Sequence, residues 1–341
     1  MSSILGERVF VVAEAGVQNY GKLELALRQV DAAADAGADA VKFQAWRTEA
    51  LVSRPAAAAH AEALGVDWYE RMAERELSWE ELREVQAHAQ RRGIAFFASA
   101  HDPPSLRFLV DELDVPFLKV GSGEASNWDF LERVGHARRP VFVAFGLQSD
   151  EEARRAVETL AAAGAPEIIA FHARTVYPTP ASLADLRRLA RLRELLRVPV
   201  GLSDHTVGSQ IALAAVAMGA RAIEKHLTFD KADPRSQDNP GALEPAEWID
   251  FVRAIREIEA ALQEVDRDEL ERALATAREW ALQAIVAARD LAAGAVLERE
   301  DVALKRPLRG GIAAGELERV LGRTLIRPVT ENAQIRPGDL R

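Results

Sequence analysis

The chain has 341 residues, room for one large domain and a small one, and 53 acidic against 43 basic side chains give a formal net charge of −10. An acidic chain argues against a general nucleic-acid binder, and the lack of cysteine removes disulfides, thiolate metal sites and a cysteine nucleophile. No basic leader precedes a long apolar core and no stretch approaches a membrane span, so a cytoplasmic protein with no membrane attachment is expected.

From Arg8 onward one grammar repeats: a short β-branched run, a polar turn, then an alanine- and leucine-rich amphipathic segment. Strands are expected at 9–13, 40–44, 94–98, 117–120, 141–145, 168–171, 200–202 and 222–224. The intervening segments have helical periodicity, as at Leu23, Leu27, Val30 and Ala34, and at Leu183, Leu186, Leu189 and Leu192. Gly37, Gly93, Gly164 and Gly219 stand where a left-handed residue would stop a helix. Eight such units predict an α/β fold, a (β/α)8 TIM barrel, whose chemistry gathers at the C-terminal ends of the strands.

Polar residues cluster at those ends. Glu14 follows the first strand, Lys42 and Gln44 close the second, Ser99 the third, and Lys119, Ser122 and Glu124 the fourth. The sixth offers His172, Arg174 and Tyr177, the seventh Ser203 to Thr206, and the eighth Glu224, Lys225 and His226. Side chains alternate along a strand, so Lys42 can share a face with Gln44, and Glu224 with His226. His205 and His226 end two strands that neighbour one another in a parallel barrel, and their imidazoles could converge on one divalent cation. The lysines Lys42, Lys119 and Lys225 are expensive to desolvate without an anion, so a small polyanion is expected, with Ser99, Ser122 and Ser203 as hydroxyl donors. Internal pairing with Glu14, Glu124 and Glu224 is the alternative.

Residues 231–241, rich in proline, glycine and Asx, read as a lid or substrate loop after the last strand. Residues 245–262 read as the last barrel helix, completing a domain at 1–264. A segment at 265–283, highly charged and helical in pattern over 266–279, reads as a linker, and short strands with glycine turns make 284–341 a small β-rich module.

The strings Ala13-Glu-Ala-Gly-Val, Val41-Lys-Phe-Gln, Lys119-Val-Gly-Ser-Gly-Glu, Tyr177-Pro-Thr-Pro, Gly201-Leu-Ser-Asp-His-Thr and Glu224-Lys-His resemble the N-acetylneuraminate (sialic acid) synthase family. Ile285-Val-Ala-Ala-Arg-Asp and Lys305-Arg-Pro resemble that family's C-terminal antifreeze-like (SAF) domain. The resemblance implies condensation of phosphoenolpyruvate with the open-chain aldehyde of an N-acylated amino sugar, such as N-acetylmannosamine, to a nine-carbon 2-keto acid and phosphate. His205 and His226 would hold Mn2+ or Mg2+, and Lys42, Gln44, Lys119, Ser122, Ser203 and Tyr177 would bind phosphoenolpyruvate. Glu124 and Asp238 would face the sugar, with Glu124 handling protons. Arg306 would reach the partner's site in a domain-swapped homodimer. Glu14 and Ser99 complete the candidate substrate-binding set.

Three stretches depart from the family pattern. Gln18-Asn19-Tyr20-Gly21 stands where Asn-His-Asn-Gly is usual, Ala144-Phe145-Gly146 where Ser-Thr-Gly is usual, and His172-Ala173-Arg174-Thr175 puts an arginine in place of a threonine. Arg174 either pairs with a surface carboxylate or contacts an additional anionic group of the acceptor. Tyr20 and Phe145 recommend an alternative, a phosphoenolpyruvate-using or aldolase-like enzyme with a different aldehyde. A non-catalytic sugar-binding dimer is the third reading.

Overall fold

The computed structural model describes residues 5–341 and divides the chain into two compact units, the first ending at Leu262 and the second running Gln263–Arg341. Eight parallel strands close the first unit into a barrel in sequential order: β1 Phe10–Gly16, β2 Ala40–Ala45, β3 Ala95–Ala100, β4 Leu118–Val120, β5 Val141–Phe145, β6 Ile168–His172, β7 Val200–Asp204 and β8 Ala222–His226. Closure comes from β1 pairing with β8, which sets Glu14 opposite His226, while on its other edge Glu14 faces Lys42 of β2.

Helices surround the barrel and bury one face against it, as Leu82, Val85 and Ala89 do in Trp79–Arg92 and Leu131 and Val134 in Trp128–His136. The four glycines read as helix stops all take positive φ, where a side chain would strain the backbone. One expectation needs correction. The helix before β7 begins only at Arg187; Leu183 lies before it and is 51% exposed, because the prolines at 178 and 180 hold the preceding stretch out of the helix. The charged segment forms the helix its pattern predicts, Arg267–Ala281, capped by Asp266, whose side chain accepts from the backbone of Asp268 and Glu269. It belongs to the second unit and buries none of its residues.

Inside the barrel the lower layer is aromatic. Phe142 stacks on Phe171 at 5.5 Å between ring centroids, and Phe97 meets Phe117 edge-on at 4.7 Å. These fully or nearly buried rings fill the barrel from below and leave its C-terminal end for polar groups. The second unit pairs β9 Ala284–Ala287 antiparallel with β10 Val302–Lys305 over its own core of Ile285, Leu297, Val302, Leu325 and Ile335.

Candidate active site

A cavity of about 890 Å³ opens at the C-terminal ends of the strands. Among the residues that line it are Glu14, Lys42, Gln44, Ser99, Lys119, Ser122, Glu124, Tyr177, Ser203, His205, Glu224, His226 and Asp238. Strand periodicity is the reason: Lys42 and Gln44 lie two apart on β2, and Glu224 and His226 two apart on β8, so each pair faces inward together.

The floor is a buried network of opposed charges. Lys42 Nζ lies 2.7 Å from Glu14 Oε2 and 3.8 Å from Glu224 Oε1. Lys119 Nζ donates to both oxygens of Glu224, at 2.7 and 2.8 Å, and sits 4.8 Å above the Phe171 ring. Lys42 also donates to Ser99 Oγ at 3.0 Å, Ser203 Oγ donates to Glu224 at 3.0 Å, and Gln44 donates to Glu14 at 2.8 Å. Burial over the aromatic layer pulls the Lys119 ammonium down to about 8, even though Glu224 opposes the shift. Burial presses Lys42 the same way, but Glu14 and Glu224 outweigh it and its value is raised. Glu224, desolvated yet flanked by both lysines, is held at about 2.

Opposite this network stand the two histidines, their ring centroids 5.5 Å apart, with Tyr177 packed 4.3 Å from His205. His205 Nδ1 lies 2.7 Å from the Arg174 carbonyl oxygen, which can only accept, so the proton is on Nδ1 and Nε2 keeps its lone pair. Burial, with His226 alongside, lowers its pKa to about 4, so the ring is neutral near pH 7. His226 Nδ1 is 3.1 Å from the Gln18 side-chain nitrogen, while Gln18 Oε1 is buried without a partner. Turning that amide over places Oε1 on a protonated Nδ1 and frees Nε2 in the same way. Gly16, at φ +54°, makes room for this contact: a Cβ there would come within 2.4 Å of Gln18 Oε1 and 3.1 Å of His226 Nδ1. Both rings are thus held from behind as metal-bound imidazoles usually are, and the pair fits a divalent cation. No cluster of three or more histidines and carboxylates suited to a metal occurs among the described residues, so most positions around such an ion would be left to substrate and water.

The mouth is built by residues that the repeating grammar does not reveal. Between β2 and β3 the chain inserts the short helices Thr48–Leu51, Arg54–Leu64 and Trp68–Ala73 ahead of the barrel helix, and these contribute Ala57, His60, Trp68, Arg71 and Met72 to the wall, with Arg75 just beyond. The signal was the length of that connection, nearly fifty residues from Ala45 to Ala95. The loop at 231–241 supplies Pro234 to Asp238. Tyr20 pins it: the ring lies 3.9 Å beneath the Arg235 guanidinium and the hydroxyl accepts from Asn239 at 2.9 Å. His101 and Thr175 also line the cavity and carry no motif.

Several expected contacts go elsewhere. Lys225 is fully buried on the other face of β8, bonded to Asp204 at 2.7 Å and to the Thr206 carbonyl, so it offers nothing to a ligand. The Arg174 side chain is outside the cavity wall, donating to the Leu183 carbonyl and lying 3.3 Å from Asp185, as the surface-pairing alternative had it. Ala144 does line the cavity, but Phe145 points into the barrel–helix layer and is wholly buried. Arg306 is an exposed residue of the second unit.

A family model for the NeuB family matches residues 29–267, and one for the SAF domain matches residues 283–341. The chain is 33% identical over 324 residues to an N,N'-diacetyllegionaminic acid synthase of Legionella pneumophila, covering 93% of this chain and 90% of the relative. It is 34% identical over 259 residues to the N-acetylneuraminate-9-phosphate synthase of Mus musculus, covering 74% and 71% respectively. Among solved structures, the N-acetylneuraminic acid (sialic acid) synthetase of Leptospira borgpetersenii, in complex with citrate, superposes with a TM-score of 0.68 at 31% identity, over 80% of this chain and 93% of that one. With its barrel, its strand-end cluster and these matches, the chain belongs to the NeuB family and carries a SAF domain at its C-terminal end.

Proposed function

We propose that the protein is a nonulosonate synthase that condenses phosphoenolpyruvate with the open-chain aldehyde of an N-acylated amino sugar, giving a nine-carbon 2-keto acid and phosphate. The observation that carries this reading is the meeting of Lys42 and Lys119 with the His205–His226 pair in a single cavity. The names of the relatives, synthases of sialic and legionaminic acids, support the product class.

In this reading Lys42 and Lys119 hold the carboxylate and phosphate of phosphoenolpyruvate, keeping their charges because Glu14 and Glu224 sit beneath them. His205 and His226 would hold a divalent cation, which would supply Lewis-acid polarisation of the aldehyde oxygen. The enol carbon forms the new bond to the aldehyde carbon, and the aldehyde oxygen takes up a proton. Water adds at C2 and gives up one proton, the C2 hydroxyl passes its remaining proton to the phosphate as the bond from C2 to the phosphate oxygen breaks, and the 2-keto acid and phosphate leave. Tyr177 covers His205 and excludes water from that side. The reading carries with it a homodimer with exchanged SAF domains, which sedimentation of an active monomer would remove.

The test is phosphate release from phosphoenolpyruvate with Mn2+ across a panel of N-acetylmannosamine, its 6-phosphate, diacetamido-trideoxyhexoses and unacylated aldoses, with His205→Ala as control. Release that requires both one sugar and His205 supports the reading. Silence across the panel from protein that still binds metal would favour a different aldehyde.

A further inference from the structure

His101 follows β3, and its backbone is fixed on both sides. Its amide donates to the Ala45 carbonyl at 3.1 Å, and the next carboxylate, Asp102, accepts from Ser105 N and Oγ and from Arg47 N at 2.7–2.9 Å. The ring meets Trp46 edge-on, and Nδ1 lies 3.1 Å from Glu124 Oε2 in the turn after β4, close enough to feel its charge but outside hydrogen-bond geometry, so that Oε2 too is buried without a hydrogen-bond partner. Gly121 makes this approach possible, since a Cβ there would come within 2.8 Å of Glu124 Oε2. Both side chains line the cavity and are 18% and 14% exposed. His101 Nε2 is buried without a hydrogen-bond partner, and a polar group left so costs about 1–3 kcal/mol until something supplies one.

The chemistry of the pair selects what that something is. The negative charge of the carboxylate at 3.1 Å favours the neutral ring's proton on the near nitrogen, Nδ1, which leaves Nε2 an acceptor beside the unpartnered Oε2. Glu124 offers further acceptor capacity beside it. The two therefore suit hydroxyl or amide N–H groups and disfavour phosphate and carboxylate, the reverse of the Lys42 and Lys119 side of the same cavity. We propose that His101 determines acceptor specificity, its imidazole and the Glu124 carboxylate together taking hydrogen-bond donors of the sugar; this rests on the function proposed above.

The experiment compares wild type with His101→Phe and His101→Gln. The phenylalanine variant is expected to raise KM for the amino sugar about tenfold while leaving KM for phosphoenolpyruvate within about twofold, and the glutamine variant to recover part of the loss. Among monodeoxy acceptors, wild type rejects the analogue that lacks the bonded hydroxyl, and His101→Phe no longer does. Unchanged acceptor KM and unchanged discrimination would overturn the assignment, as would an equal rise in both KM values, which marks a structural role. Equilibrium titration with the amino sugar, phosphoenolpyruvate present and metal withheld, reads the same contact without turnover. An enzyme that binds the sugar through His101 yet releases no phosphate would count against the synthase reading and leave this one standing; equal sugar affinity in wild type and His101→Phe would remove it.

Discussion

The floor and the mouth of the cavity are built on opposite principles. At the floor Lys42, Lys119, Glu14 and Glu224 are buried, mutually bonded, and delivered by β2, β4, β1 and β8 across the barrel over a layer of phenylalanine rings. At the mouth Arg71 and Arg75 are half-buried, with no carboxylate within ion-pairing distance among the described residues, and come from short helices and a loop. Arg75 donates instead to the Arg235 carbonyl, tying the helical insertion to the loop. A floor satisfied by its own partners is pre-organised for one chemistry, whereas a mouth with spare donors can be adapted to the far end of an acceptor.

The largest effect is expected at the floor. Lys119→Met should lower phosphate release at least a thousandfold, about 4 kcal/mol of barrier, and destabilise the fold by about 3–5 kcal/mol by leaving Glu224 short of its partner. Adding Glu224→Gln should restore much of the melting temperature and none of the activity. If activity returned with stability, the lysine would be structural only.

Next is the pH dependence. With Lys119 pulled to about 8, kcat/KM for phosphoenolpyruvate should fall as pH rises through about 8 in the free enzyme. Stability should move the other way. Between about 8 and the ordinary lysine value of 10.5 the unfolded chain binds more protons, so the Lys119 contribution to stability rises with pH in that window. A flat kcat/KM profile from pH 7 to 9 would show that anion binding does not use this ammonium.

At the mouth, Arg71→Ala and Arg75→Ala should raise acceptor KM about three- to tenfold, with the larger effect at Arg75 because it also holds the loop. Phosphoenolpyruvate KM should stay within about twofold, and an equal rise for both substrates would erase the distinction between the two regions. The smallest effect belongs to Arg174→Ala, whose partly exposed pairing with Asp185 lies off the cavity: less than about a twofold change in either KM and at most about 1 kcal/mol in stability. A tenfold loss for one substrate would bring that side chain back to the site.

The same division explains what could be read in advance. Strand periodicity of two placed Lys42 with Gln44 and Glu224 with His226, because β structure fixes which side chains share a face whatever the tertiary context. It could not say that Lys225, one residue along, is consumed by Asp204, since that pairing depends on the strand register that sets Asp204 of β7 directly opposite Lys225 of β8. Nor could it reach His101 or Arg71, whose place in the wall depends on non-repeating loops and short helices. Leu183 misled for a related reason: leucine spacing ran into a proline-bearing loop whose conformation is set by Arg174 and His172 bonding to the carbonyls of Leu183 and Ala184.

The phenylalanine layer beneath Lys119 also dictates traffic. Rings from β3, β5 and β6, with Phe117 just ahead of β4, seal the barrel from below, so in the condensation proposed above the same opening would admit both reactants and discharge both products. A reactant held by the lysines at the bottom must arrive before the one that sits above it, and it is trapped there until the upper one departs. An acceptor analogue should therefore inhibit uncompetitively against phosphoenolpyruvate, and a noncompetitive pattern would mean that the two molecules load independently, side by side.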